Sequence, residues 1–142
     1  MSRYGRIDFD IDDADFNAFR ITLPNEVIRI FDNITYHIKK NYPELKRATG
    51  SWYINYGFNK RVIFFKIEPD PKNNCVYIAV HDEDHFHLTE EVRVHVLLKP
   101  GTDPLKPGNW KRQATVKNNS DLKWAYKLLN EIYNIVMKRY YR

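Results

Sequence analysis

Apolar side chains recur at three- and four-residue intervals early in the chain, at Val27, Ile30, Phe31, Ile34 and Ile38. A helix turns once every 3.6 residues, so this spacing gathers them on one face. Thr22-Leu23-Pro24-Asn25 supplies a start, with Glu26 in the first turn, where the unsatisfied N–H groups favour negative charge. Lys39 and Lys40 suit the opposite end, and Pro43 stops the helix. A second, longer stripe runs through Leu122, Ala125, Leu128, Leu129, Ile132, Val136 and Tyr140, with Lys123, Lys127, Glu131 and Lys138 off it. Asn119 or Ser120 is the expected cap, with Asp121 in the first turn.

Between the two helices the period changes to two. Trp52 to Phe58 alternates and is aromatic, Asn59-Lys60 reads as a hairpin tip, and Arg61 to Ile67 continues the alternation. A turn spans Pro69 to Asn74, a strand Cys75 to Val80, a polar connector His81 to Glu91, and a further strand Arg93 to Leu97. Prolines and glycines mark residues 99–108 as a loop before a β-like run from Lys111 to Val116. Ala48-Thr49-Gly50-Ser51 reads as a break. Residues 1–20, where Ile7, Phe9 and Ile11 alternate with Asp8, Asp10 and Asp12, read as an acidic arm or edge strand ahead of a single domain at 21–142. The order predicts an α+β two-layer sandwich, with an antiparallel sheet of about four or five strands and both helices packed on one face.

Charge adds an asymmetry. The formal net charge is +5 over 142 residues. The excess sits after residue 103, where Lys106, Lys111, Arg112, Lys117, Lys123, Lys127, Lys138, Arg139 and Arg142 face only Asp121 and Glu131. Such a surface attracts polyanions or acidic proteins without choosing between them. The length is that of one domain with one core. The single cysteine, Cys75, allows no internal disulfide, and no apolar run is long enough for a membrane helix. A cytoplasmic protein with no membrane partner is the expectation.

Some segments resemble a small bacterial domain of uncharacterised function that accompanies restriction-type nuclease domains and so-called predicted transport proteins. These are the tyrosine-rich strand leading into Lys60-Arg61-Val62-Ile63-Phe64-Phe65-Lys66-Ile67-Glu68-Pro69, the turn and strand at Lys72 to Val80, and Gly108-Asn109-Trp110 with its strand and the Asn119-Ser120-Asp121-Leu122 helix start. The same ending is similar to YjbR-type domains, whose sheet-and-helix wing fold has been proposed to bind DNA. The resemblance spans roughly residues 35–136 and implies an α+β fold and a bacterial or phage setting. It transfers no catalytic residue.

Three groups of side chains carry candidate chemistry. Lys60, Arg61, Trp110, Lys111, Arg112, Lys117, Lys138 and Arg139 combine cations for phosphates with an aromatic for stacking, the composition of a nucleic-acid surface. Trp52, Tyr53, Tyr56 and Phe58 offer the alternative of a protein interface, homodimeric or with another protein, on the sheet face away from the helices. His81, His85, His87 and His95 compose a second alternative, a metal-dependent enzyme. His85 and His87 are two apart and share a face if extended, but no HExxH or other ordered ligand motif is present.

The acidic repeat at Asp8 to Asp13 lacks the glycine and the bidentate glutamate of a calcium loop. Lys66, Glu68 and Asp70 reverse the strand order of a restriction-type nuclease core, and Cys75 lies in an apolar run. The expectation is therefore a non-catalytic binding module with no cofactor, more readily a nucleic-acid-associated accessory protein than an enzyme.

Overall fold

The computed structural model describes residues 13–59, 61–81, 84, 87–98 and 112–140. Helix α1 is Asp13–Arg20 and α2 is Asn25–Asn41, followed by strands β1 (Lys46–Thr49), β2 (Ile54–Asn59), β3 (Val62–Asp70) and β4 (Cys75–Val80). A single helical turn, α3 (Glu90–Arg93), then precedes β5 (Val96–Leu98), β6 (Arg112–Val116) and the long helix α4 (Asn119–Tyr140). The strands form one antiparallel sheet in the order β1-β2-β3-β4-β6-β5. The α+β architecture, with helices packed on the sheet, is the one the hydrophobic pattern predicts.

Registers explain the core. Ile54 pairs with Ile67, Ile67 with Ile78 and Ile78 with Ala114, so one continuous apolar row crosses β2, β3, β4 and β6. Tyr56 opposite Phe65, and Val76 opposite Val116, extend the same face. Ile30, Phe31, Ile34 and Ile38 of α2 and Leu128, Leu129, Ile132 and Val136 of α4 close over it, all buried. Burial of this many large side chains is the main stabilising term of the fold.

The opposite sheet face alternates with that row. It carries Asn55, Lys66, Glu68, Tyr77, Gln113 and Thr115, all half-buried and mostly polar. An aromatic patch there is thus corrected: Tyr56 points into the core at 4% exposure, and Phe58 packs against Phe64 at 5.0 Å between ring centroids.

Several local readings also change. Residues 13–20 are a helix, because Phe16 and Phe19 gain more by stacking on Phe31 than they would in an extended arm. Arg20 anchors the end of that helix to Asp32 with two hydrogen bonds, at 2.7 and 2.5 Å. Residues 1–12 lie outside the described residues. The supposed break after Arg47 is in part β1, a short charged edge strand whose Arg47 guanidinium sits 3.8 Å from the Phe16 ring.

Strand β3 continues through Pro69 to Asp70, past the first residue of β2, so the missing proline N–H leaves no ladder partner waiting on that side. The expected strand from Arg93 is a helical turn that ends before Val96. The cap of α4 is Asn118, one residue earlier than expected. Its Oδ1 accepts the Asp121 N–H, and Asp121 Oδ2 accepts the Lys117 N–H.

The β2–β3 ladder slips around Gly57, where the register shifts on both sides. A Cβ built on Gly57 would lie 2.0 Å from the Val62 carbonyl oxygen, a backbone atom that cannot swing away. Gly57→Ala is therefore expected to destabilise the protein by at least about 2 kcal/mol. A urea unfolding midpoint unchanged from wild type would contradict this account of the bulge.

Candidate nucleic-acid interface

Helices α2 and α4 run parallel, as three successive contacts show. Arg29 Nη1 donates to Asn119 Oδ1 at 2.9 Å, the His37 ring stacks on Tyr126 at 4.4 Å, and the Tyr42 ring stacks on Tyr133 at 4.4 Å. Each helix buries one stripe, so helical periodicity turns the opposite stripe outward. On α2 that stripe is Arg29, Asn33, Tyr36 and Lys40, with Lys39 beside it; on α4 it is Lys123, Lys127, Asn130, Asn134 and Lys138. From Lys123 to Lys138 the α4 row extends about 22 Å.

Carboxylates on these helices are largely drawn off to the flanks. Asp32 holds Arg20, Glu131 accepts the Thr89 N–H and hydroxyl at 2.8 Å each, and Asp121 serves the helix cap. Glu26 lies at the extreme N-terminal turn. The outer face of the helical layer therefore presents cations and amides, plus one tyrosine, Tyr36, at 61% exposure.

A polar chain pins the two helices together. Asn41 Nδ2 lies 3.2 Å from His37 Nδ1 and can only donate, which leaves the ring proton on Nε2. Nε2 faces the Tyr42 hydroxyl at 3.3 Å, and that hydroxyl donates to Asn130 Oδ1. Burial lowers the His37 pKa, offset in part by a hydrogen bond to Asn130, and raises that of Tyr42. Both groups thus stay neutral around pH 7.

The basic positions expected at the chain's end separate into two groups. In an antiparallel sheet the β2–β3 turn, the start of β6 and the end of α4 share one end, so Arg61, Arg112, Lys138 and Arg139 lie there. Lys117 is at the opposite end, about 30 Å away along α4. Arg139 donates at 2.5 Å to Asp84, whose carboxylate is buried, so its charge is committed within the fold. The single patch joining Lys117 to Lys138 and Arg139 is corrected accordingly. Lys60, Trp110 and Lys111 lie outside the described residues.

The other candidates are dispersed. Trp52 is 65% exposed on the β1–β2 connection, and Tyr53 is half-buried with the Lys66 ammonium 4.4 Å from its ring. His87 is exposed near Lys138 and Arg139, His81 is half-buried after β4, and His85 lies outside the described residues. His95 is exposed and stacks on Trp124. Among the described residues no three His, Cys, Asp or Glu side chains converge as metal ligands.

Lys66, Glu68 and Asp70 share the polar sheet face. Asp70 is occupied by Asn73 and the Tyr77 hydroxyl, hydrogen bonds that lower its pKa despite partial burial. Buried Cys75 has its pKa raised by desolvation, which keeps it a thiol.

Trp124, Lys123, Lys127 and the α2 cations were not singled out from sequence as binding residues. The available signal was the off-stripe lysine spacing on both helices. Among the described residues, no helix is long and apolar enough to cross a membrane. Comparison with protein-family models, curated proteins and solved structures yields no match.

The His37 chain sets a pH response. Its imidazole resists protonation in the folded state, so its stabilising contribution is complete above the ordinary value of 6.5. That contribution is lost as pH falls through the lowered folded value. Urea unfolding from pH 8 to pH 5 is expected to show a fall below about pH 6.5 that is shallower in His37→Phe, which keeps the ring packing without the titration. Parallel curves for the two proteins would refute this.

Proposed function

We propose that this protein is a non-catalytic, nucleic-acid-associated binding module, cytoplasmic in setting, that contacts its ligand with the outer face of the α2/α4 layer. The observation that carries this reading is the row Lys123, Lys127 and Lys138 alongside Arg29, Lys39 and Lys40 on two parallel helices, with helix carboxylates tied up at the flanks. Ammonium groups strung along a rigid helix neutralise successive phosphates, and interspersed Asn33, Asn130 and Asn134 donate hydrogen bonds to phosphate and sugar oxygens. This surface differs from the strand-and-turn patch anticipated from sequence and shares only Lys138 with it. DNA binding proposed for YjbR-type domains, which the chain's ending resembles, agrees in kind.

Fluorescence anisotropy with labelled DNA and RNA oligonucleotides across a salt series tests it. Log affinity is expected to fall linearly with log salt, and each of Lys123→Ala, Lys127→Ala and Lys138→Ala should make the slope shallower by about one unit. Lys117→Ala, an equal charge change off this face, should alter the slope less. Absence of binding at low salt, or equal sensitivity to Lys117, would overturn the proposal.

A second reading rests on Trp52, whose exposed indole meets Tyr53 edge-on at 5.8 Å. Here a protein partner or a second copy would dock at the β1–β2 connection rather than on a sheet face. Sedimentation that depends on concentration in wild type but not in Trp52→Ala would support it, and concentration-independent behaviour would argue against self-association.

A further inference from the structure

Beside the lysine row the structure holds an aromatic pair that phosphate neutralisation alone does not require. The His95 imidazole lies on the Trp124 indole with ring centroids 4.0 Å apart and planes inclined by 23°. Trp124 is half-buried in the second turn of α4, whereas His95, in the short link between α3 and β5, is exposed. The imidazole is therefore the outer plate of the stack, and the indole its fixed backing. The Lys127 and Lys123 ammonium groups lie 4.8 and 5.9 Å from the indole centroid. Lys127 also meets Glu91 at 2.9 Å, an exposed ion pair of the kind a phosphate displaces at little cost.

Resting on the polyanion reading above, we propose that the His95–Trp124 pair is a stacking platform for an unpaired nucleobase, and that the ligand is single-stranded nucleic acid. A flat π surface flanked by cations within one phosphate spacing suits an unstacked base with its own phosphodiester. A duplex keeps its base faces stacked internally and can use only the lysines. The platform lies on the flank of α4 next to Lys123 and Lys127, so a strand leaving it meets the same lysine row. Because every base has a π face, the platform selects strandedness and not sequence.

The test compares fluorescein-labelled oligothymidine and oligouridine of about 15 nucleotides with a blunt DNA duplex of equal length. The protein is wild type, His95→Ala or His95→Phe, with thermal unfolding recorded to confirm that each variant folds. Wild type is expected to bind at least one single strand about ten-fold more tightly than the duplex. In His95→Ala the ratio should collapse toward one, and in His95→Phe, which restores a flat ring, it should persist.

Equal affinity for strands and duplex in wild type, or a ratio insensitive to His95→Ala, would overturn the platform while leaving the lysine row intact as a polyanion surface. No binding of any probe at low salt would overturn both. A preference between oligothymidine and oligouridine would separate DNA from RNA within the single-stranded class.

Discussion

Two apolar helix stripes share a single face of one sheet, and the surface chemistry of this protein follows from that sharing. The stripes of α2 and α4 must both face the row built from Ile54, Ile67, Ile78 and Ala114. Neither helix can rotate without exposing buried leucines, isoleucines or Phe31, at a cost of about 1.5–3 kcal/mol for each large side chain. Helical periodicity then leaves no freedom on the far side. Arg29 and Lys40 must face outward from α2, and Lys123, Lys127 and Lys138 from α4, in rows held parallel by the His37–Tyr42–Asn130 chain and the Tyr42–Tyr133 stack. The positive surface is a geometric consequence of the core.

The long-range periodicities were legible in the sequence for the same reason. Val27 to Ile38 and Leu122 to Val136 announce their helices because a buried stripe needs apolar residues at fixed spacing, and nothing distant has to be known. Strands β2, β3, β4 and β6 were legible from alternation. Short elements were not. Four residues of β1 and eight of α1 carry too few positions to define a period. Their conformations are decided by partners elsewhere, Phe31 for α1 and the β2 edge for β1.

The candidate site was legible only in composition. Counting charges along the chain located the positive excess near the C-terminus but merged residues that the fold separates. Lys117 and Lys138 stand at opposite ends of one helix, and the buried carboxylate of Asp84 occupies Arg139 from a connector 55 residues away in sequence. Pairings such as His95 with Trp124 join α4 to the approach of β5, across a chain separation that no local pattern spans. The aromatic strand misled for a related reason. Tyr56 and Phe58 signal β structure whichever face they take, and only the register with Phe65 assigns Tyr56 to the core.

Several groups that a reaction could use are held in contacts within the fold. Asp70 is held by Asn73 and Tyr77, Asp84 by Arg139, and Cys75 is kept protonated by burial, so these two acids and the thiol serve the fold. The lysines of α4 contrast with them. Lys127 meets exposed Glu91, and Lys123 and Lys127 lie near the Trp124 indole, but these are surface contacts that water and salt screen. A nearby phosphate chain would therefore gain their attraction at the cost of only exposed, screened contacts. Electrostatic recognition of an extended polyanion asks for this arrangement: a rigid spacing of exposed charge, with the ion pair of Arg139 and buried Asp84 kept off the face.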